Sequence, residues 1–207
     1  MAITTSIRSP ADLANNSLTR MGFKLRVGSL LDGSDHARHI LDVYGQTRDE
    51  MLGSFDYDFA ERVVQLTVLK QAPTQGYVPP NLWDGTLNPP PGFLYEYAYP
   101  SDAIKIRAIK STPVFAINYD PQANTFTEAN DNYYTPPQRV ILSNVPNPFC
   151  TYTGRVTDPA TWSVSFADSL AARLSVLLGP SLVGLESAKL TVPEAQLDSA
   201  VSSMEQR

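Results

Sequence analysis

Apolar residues recur at helical spacing toward both ends of this chain and at sheet spacing between them. Ser9 followed by Pro10 predicts a helix start, with serine as the cap and proline at the first helical position. The segment 10–21 carries Leu13, Leu18 and Met21 and ends at Gly22, which reads as a short helix with a weak apolar face. Ala37, Ile40, Leu41, Tyr44, Arg48 and Met51 then follow one another at steps of three and four or close to it. That stripe predicts a helix over 35–53, opened by Ser34 or Asp35 and stopped by Gly53. Far along the chain, Asp158-Pro159 forms another cap-and-first-position pair. Behind it Trp162, Phe166, Leu170, Leu174, Leu177 and Leu178 repeat at helical spacing up to Gly179-Pro180. A weaker helix is expected within 183–205, kinked or restarted by Pro193.

The middle has a different period. Residues 62–69 are rich in β-branched side chains and predict a strand, and further strands are expected at 94–99, 104–110, 114–119, 138–144 and 149–156. Between the first two lies 71–93, with Pro73, Pro79, Pro80, Pro89, Pro90 and Pro91 and with Trp83 at its middle. A loop this long without its own element is unusual in a compact domain unless it has a function. The expected fold class is therefore α+β: a helical bundle formed by N- and C-terminal helices, with an inserted antiparallel β region and long proline-rich loops. The corresponding divisions are 1–61 and 157–207 for the helices and 62–156 for the β region.

Composition sharpens this picture. The chain of 207 residues has seventeen prolines against eleven glycines and only 18% charged residues. Ten tyrosines, eight phenylalanines and two tryptophans run through the proline-bearing stretches, which argues for ordered irregular chain over disorder. The modest net charge of −5 argues against a protein that grips nucleic acid through clustered phosphate contacts. Four acidic residues, Glu186, Glu194, Asp198 and Glu205, sit in the last segment. Cys150 is the single cysteine, so no internal disulfide is possible, and a small buried hydrophobe is expected there. No run of eighteen apolar residues is present, and the start of the chain has no apolar region of signal-peptide type, so no membrane association is expected.

Candidate chemistry is sparse. His36 and His39 lie three apart on one helix beside Asp35 and Asp42, but a third metal ligand is not indicated, and they read as polar surface or interface side chains. Gly28 and Gly33 read as turn glycines, without the Lys-Ser/Thr ending of a phosphate loop. Asp56 and Asp58, set among Phe55, Tyr57 and Phe59, read as a packed turn and not a carboxylate pair. Lys105 and Arg107 share a strand face opposite Ile104, Ile106 and Ala108, which is half-buried strand patterning. The expectation is a protein that is not an enzyme, with no catalytic, cofactor-binding or metal-binding residues and no cofactor.

Three stretches carry a resemblance. The first is Tyr44-Gly-Gln-Thr-Arg48-Asp49-Glu-Met-Leu52, leading into Ser54-Phe55-Asp56-Tyr57-Asp58-Phe59-Ala60. The second is Phe93-Leu-Tyr95-Glu96-Tyr97-Ala-Tyr99-Pro100-Ser-Asp102-Ala-Ile104. The third is Tyr152-Thr-Gly154-Arg155-Val-Thr-Asp158-Pro159-Ala-Thr-Trp162, running into Phe166-Ala-Asp168-Ser-Leu170-Ala-Ala-Arg173-Leu174. In this order they resemble the head–tail adaptor family of short-tailed bacteriophages, the tail tubular protein A-like connectors. The resemblance departs from the family at residues 54–60, where its usual histidine, proline and tryptophan are missing while Tyr57 and Phe59-Ala60 remain.

The resemblance implies a structural subunit of the virion, made in the host cytoplasm and seated at the head–tail interface. It implies a ring of twelve subunits between the portal protein and the tail nozzle protein, with tail fibres as a further candidate partner. DNA would pass through its channel without sequence-specific binding. Two other classes compete: a neck stopper or tail completion protein of another tail type, and a carbohydrate- or peptide-binding β module favoured by Tyr77, Trp83, Tyr133 and Tyr134. Tyr44, Leu52, Phe59, Trp162, Phe166, Leu170 and Leu174 are expected in a core joining early and late helices. Tyr77, Trp83 and Phe93 are the candidate assembly contacts within 71–93. The competing expectation for that loop is that it folds back over its own β region and covers Trp83.

Overall fold

The computed structural model describes residues 9–73, 83–111 and 125–185. The expected strand at 114–119, Tyr77, the acidic residues from Glu186 onward and nearly all of the helix expected within 183–205 lie outside the described residues. The chain has mixed α+β character, with three α-helices and two antiparallel sheets. It divides into two compact units: Met1–Phe55 with Val156–Arg207, and Asp56–Arg155.

In the helical unit, α1 (Pro10–Arg20) opens as its sequence dictates, with Ser9 Oγ accepting from the Asp12 amide at 3.1 Å. It closes at Gly22, whose φ of 85° is left-handed, while the Phe23 amide reaches back to the Leu18 carbonyl at 3.0 Å. That pairing is the glycine-dependent stop that leaves few carbonyls unsatisfied. The Asn15 amide group then pairs with both the N–H and C=O of Val27, at 2.8 and 3.0 Å, and so ties the following segment to α1. α2 (Asp35–Ser54) is capped by Ser34, and both α1 and α2 pack on α3 (Val164–Leu185).

Two expectations about the third helix are corrected. Asp158 and Pro159 do not start it; they form a separate 3₁₀ turn over Pro159–Thr161, and the chain restarts after Ser163, whose Oγ accepts from the Phe166 amide. Nor does the helix stop at Gly179-Pro180, since it continues to Leu185. An internal proline removes one backbone hydrogen bond, but Leu178 and Leu182 are buried on either side of it and hold the helix in place.

The second unit is a two-sheet sandwich with an added layer. Its strands are β1 (Glu61–Gln65), β2 (Val68–Gln71), β3 (Tyr95–Ala98), β4 (Ala103–Lys110), β5 (Phe126–Asp131), β6 (Gln138–Ser143) and β7 (Phe149–Gly154). One sheet has the order β1-β7-β4 and the other β2-β3-β6-β5, with all pairs antiparallel. The strand expected over 62–69 is two strands. Leu66 turns into the core and its amide bonds the Pro148 carbonyl, so the chain leaves one sheet and enters the other at this corner. Leu66, Tyr97, Ile106, Ile109, Ile141, Cys150 and Tyr152 form the shared core. The expected face of β4 also changes. Bulges between Ala103 and Lys105 and between Ile106 and Ala108 break strict alternation, so Ile106 and Ile109, three apart, are the two that point inward.

Strand β5 was not anticipated, because Phe-Thr-Glu-Ala-Asn-Asp has no apolar run; it is held in register by six pairings with β6. The turn after Phe55 belongs with the sheets. Asp56 pairs with Lys105 and Arg107, and Arg107 also donates to the Tyr57 carbonyl at 2.7 Å. Phe59, expected in the core between helices, is corrected on both counts: it is half-buried, lies in the sheet unit and packs on Tyr57.

Candidate functional site

The central feature of the sheet unit is a buried charge cluster on the outer face of the second sheet. Alternation along β3 sends Tyr95 and Tyr97 toward the sandwich core and Glu96 to the opposite side. Lys70 on β2 is the direct cross-strand partner of Glu96. Thr127, Ala129 and Asp131 share that face, because Thr127 and Glu96 both pair with Leu142. The Lys70, Glu96 and Asp131 side chains are only 5%, 1% and 6% exposed.

Lys70 Nζ lies at the centre. It donates to Asp131 Oδ2, to the Gly85 carbonyl at 2.7 Å, and stands 3.5 Å from Glu96 Oε1. The Tyr133 and Tyr134 rings lie 5.3 and 5.1 Å from it. Asp131 Oδ1 accepts from the Tyr133 amide, whereas Glu96 Oε1 has no hydrogen-bond partner among the described residues. Burial pushes the Glu96 carboxyl up, helped by its hydrogen bond with Asp131 and opposed by Lys70, to about 7. Burial works against ionised Asp131 as well, but hydrogen bonds from Lys70 and the Tyr133 amide outweigh it and lower its pKa. Burial also disfavours the Lys70 ammonium; the Asp131 hydrogen bond and the charges of Glu96 and Asp131 overcome this and raise it above the ordinary lysine value. Below about pH 7 the cluster is one ammonium, one carboxylate and one protonated carboxyl, the nearly neutral set that low-dielectric surroundings favour.

The described part of the proline-rich segment covers this cluster. Trp83 Nε1 donates to the Pro89 carbonyl at 3.0 Å and its ring meets Tyr133 edge-on at 6.0 Å. A side chain at Gly85 would run into the Tyr133 ring, so glycine is required there for contact. A cavity of about 190 Å³ remains between segment and sheet, lined by Trp83, Asn88, Pro90, Glu96, Asp131 and Tyr133 among others. Thus the segment folds back over its own β region. Trp83 and Phe93 are half-buried, while Leu87 and Tyr133 remain 69% and 55% exposed.

The residues carrying the resemblance fall into three packed groups. On α2, Arg48 sits over the Tyr44 ring at 5.9 Å and bonds Asp49, with Leu52 fully buried below. Burial lifts the Tyr44 hydroxyl to about 12, against the nearby Arg48 charge. At one end of the first sheet, Asp102 accepts from Tyr152 Oη at 2.9 Å and Arg62 Nη1 at 2.7 Å, and its carbonyl accepts from the Arg155 amide at 2.8 Å. Gly154 leaves the space in which the Arg62 side chain lies. On α3, Phe166, Leu170 and Leu174 are buried, and Trp162 just before it meets Phe166 edge-on at 5.1 Å.

Among the described residues, no group of three or more His, Cys, Asp or Glu side chains is placed to hold a metal. His36 instead lies edge-on to Phe23. None of the described helices is long and apolar enough to cross a membrane. Neither Lys70 nor Asp131 stands out in the sequence, because their contact spans sixty-one positions and β5 carries no apolar strand pattern. The tyrosine alternation around Glu96 was the available signal. No protein-family model matches the chain, and no curated protein is significantly similar to it.

Proposed function

We propose that this chain is a structural subunit of a bacteriophage head-to-tail adaptor ring, dodecameric, between the portal and the tail nozzle. In this reading α1, α2 and α3 form the family's helical bundle and the two sheets are its inserted β region. The observation that carries it is the ordered set of three resembling stretches, whose residues pack as local groups: Tyr44 with Arg48 and Asp49, Asp102 with Tyr152, and Trp162 with Phe166. The mild net negative charge suits a channel along which DNA slides, since each cationic contact would hold a phosphate. Ring subunits meet through two different surfaces, and the exposed Leu87 and Tyr133 beside half-buried Trp83 offer apolar area for one of them.

Imaging of purified particles tests the proposal. The expected result is a closed ring of this protein directly between portal and nozzle. A position in the neck of a long-tailed particle would replace it with the stopper or completion reading. A binding-module reading draws on one further observation, the aromatic side chains Trp83 and Tyr133 beside Asn88, Asn130 and Asn132 around the cavity. Saturable glycan or peptide binding by the isolated chain, with no ring on any particle, would favour it.

A further inference from the structure

We propose that Lys70, Asp131 and Glu96 form a proton-controlled latch: with one proton held by the two carboxyls the cluster clamps residues 83–92 onto the outer sheet face, and loss of that proton loosens the segment. The inference does not depend on the adaptor reading, because it concerns the sheet unit alone.

The geometry supplies the clamp. The Lys70 ammonium bonds both the sheet, through Asp131, and the covering segment, through the Gly85 carbonyl. The groups facing Glu96 are few. Lys70 comes from β2, Asp131 from β5, and Tyr133 and Tyr134 follow β5. Strand β6 contributes apolar Val140 and Leu142. From the covering segment come Trp83, Gly85, Asn88, Pro90 and Pro91, all uncharged, while Asp84 is close enough to feel the Lys70 charge.

With both carboxyls ionised, one ammonium would face two buried negative charges, and Glu96 Oε1 would carry charge without a hydrogen-bond donor. Such a charge is costly unless water reaches it. The adjoining cavity is the route by which a loosened segment admits water.

The sign follows from the Glu96 carboxyl, which in the closed state titrates near 7, above its ordinary value of 4.5. The closed state therefore binds the proton more tightly than the open one. Its advantage is fully present below the ordinary carboxylate value and is lost as the pH climbs to the closed-state value. The opening equilibrium should rise about tenfold per pH unit through that window and level off above it. Asp131 runs the other way, but its depressed value places its effect below the window. Lys70 loses its charge only far above it.

The test follows the two tryptophan indole N–H groups of the ¹⁵N-labelled full chain, assigned with W83F. Hydrogen exchange is measured between about pH 5 and about pH 9 and corrected for its intrinsic pH dependence. The expected result is a Trp83 signal whose protection falls with the stated slope and then levels off, while Trp162, bonded to the Val156 carbonyl in the other unit, keeps its protection. Glu96→Gln, which is neutral and can still donate to Asp131, should abolish the slope. A flat wild-type profile, an E96Q slope equal to wild type, or Trp162 opening in parallel would each overturn the latch.

Discussion

Leu170 shows what a single side chain contributes when helix packing hides it completely. It is 0% exposed on the inward face of α3, beside the equally buried Leu174. Leu170→Ala removes most of an apolar side chain and leaves a cavity, so a loss of about 2–5 kcal/mol is expected in chemical or thermal unfolding of the full chain. An unchanged midpoint would place the residue outside the core. Cys150 gives a second residue-scale expectation. Its thiol is fully buried, and burial, with a smaller push from the Glu128 charge, raises it to about 12. Only about one molecule in ten thousand would carry the thiolate at pH 8. The folded protein should therefore resist a water-soluble disulfide reagent that titrates one thiol in denaturant, and rapid native modification would contradict this.

At the scale of elements, Gly154 leaves room for Arg62 at the corner where β1 and β7 meet the β3–β4 turn. A side chain at position 154 would displace Arg62 from Asp102. Arg62 is long and half exposed, so it can swing away, and an exposed ion pair contributes little. Gly154→Ala should cost only about 1 kcal/mol in the unfolding of the sheet unit, with Asp102 still accepting from Tyr152. A loss several times larger would mean that the backbone itself has shifted. The covering segment is held differently. Gly85→Ala should push the Tyr133 ring away from Trp83 while leaving the two sheets paired, read as a changed Trp83 indole resonance with little change elsewhere. Loss of the sheet signals would show that the segment is a structural part of the sandwich.

For the whole molecule, the adaptor reading predicts a mostly monomeric or weakly associated protein in isolation and a closed ring on the portal. Native mass measurement on the purified chain and on portal complexes checks both. A stable ring of the isolated chain contradicts the first half, and one bound subunit per particle contradicts the second. Trp83→Ala tests the covering segment as an assembly surface. Trp83 is half-buried, with its indole bonded to Pro89 and its ring against Tyr133. The variant should stay folded with a looser segment, while particles accumulate filled heads without nozzles or fibres. Normal assembly by the folded variant would assign Trp83 to covering its own sheet.

Local patterns determined much of this architecture. Ser9-Pro10 and Gly22 mark the ends of α1, Ser34 starts α2, and β-branched or aromatic content marks most strands, because caps, turn glycines and alternation act within a few residues. The same patterns misplaced the start of α3, ended it too early at Pro180 and merged β1 with β2. In those places the deciding contacts came from elsewhere: burial of Leu178 and Leu182 kept the helix going, and burial of Leu66 broke the strand. Polar β5 was invisible until β6 lay beside it. The charge cluster was the least legible feature. Glu96 could be assigned a face, but its partners at Lys70 and Asp131 are selected by strand order and register, and the burial that lifts the Glu96 carboxyl exists only once tertiary structure has excluded water.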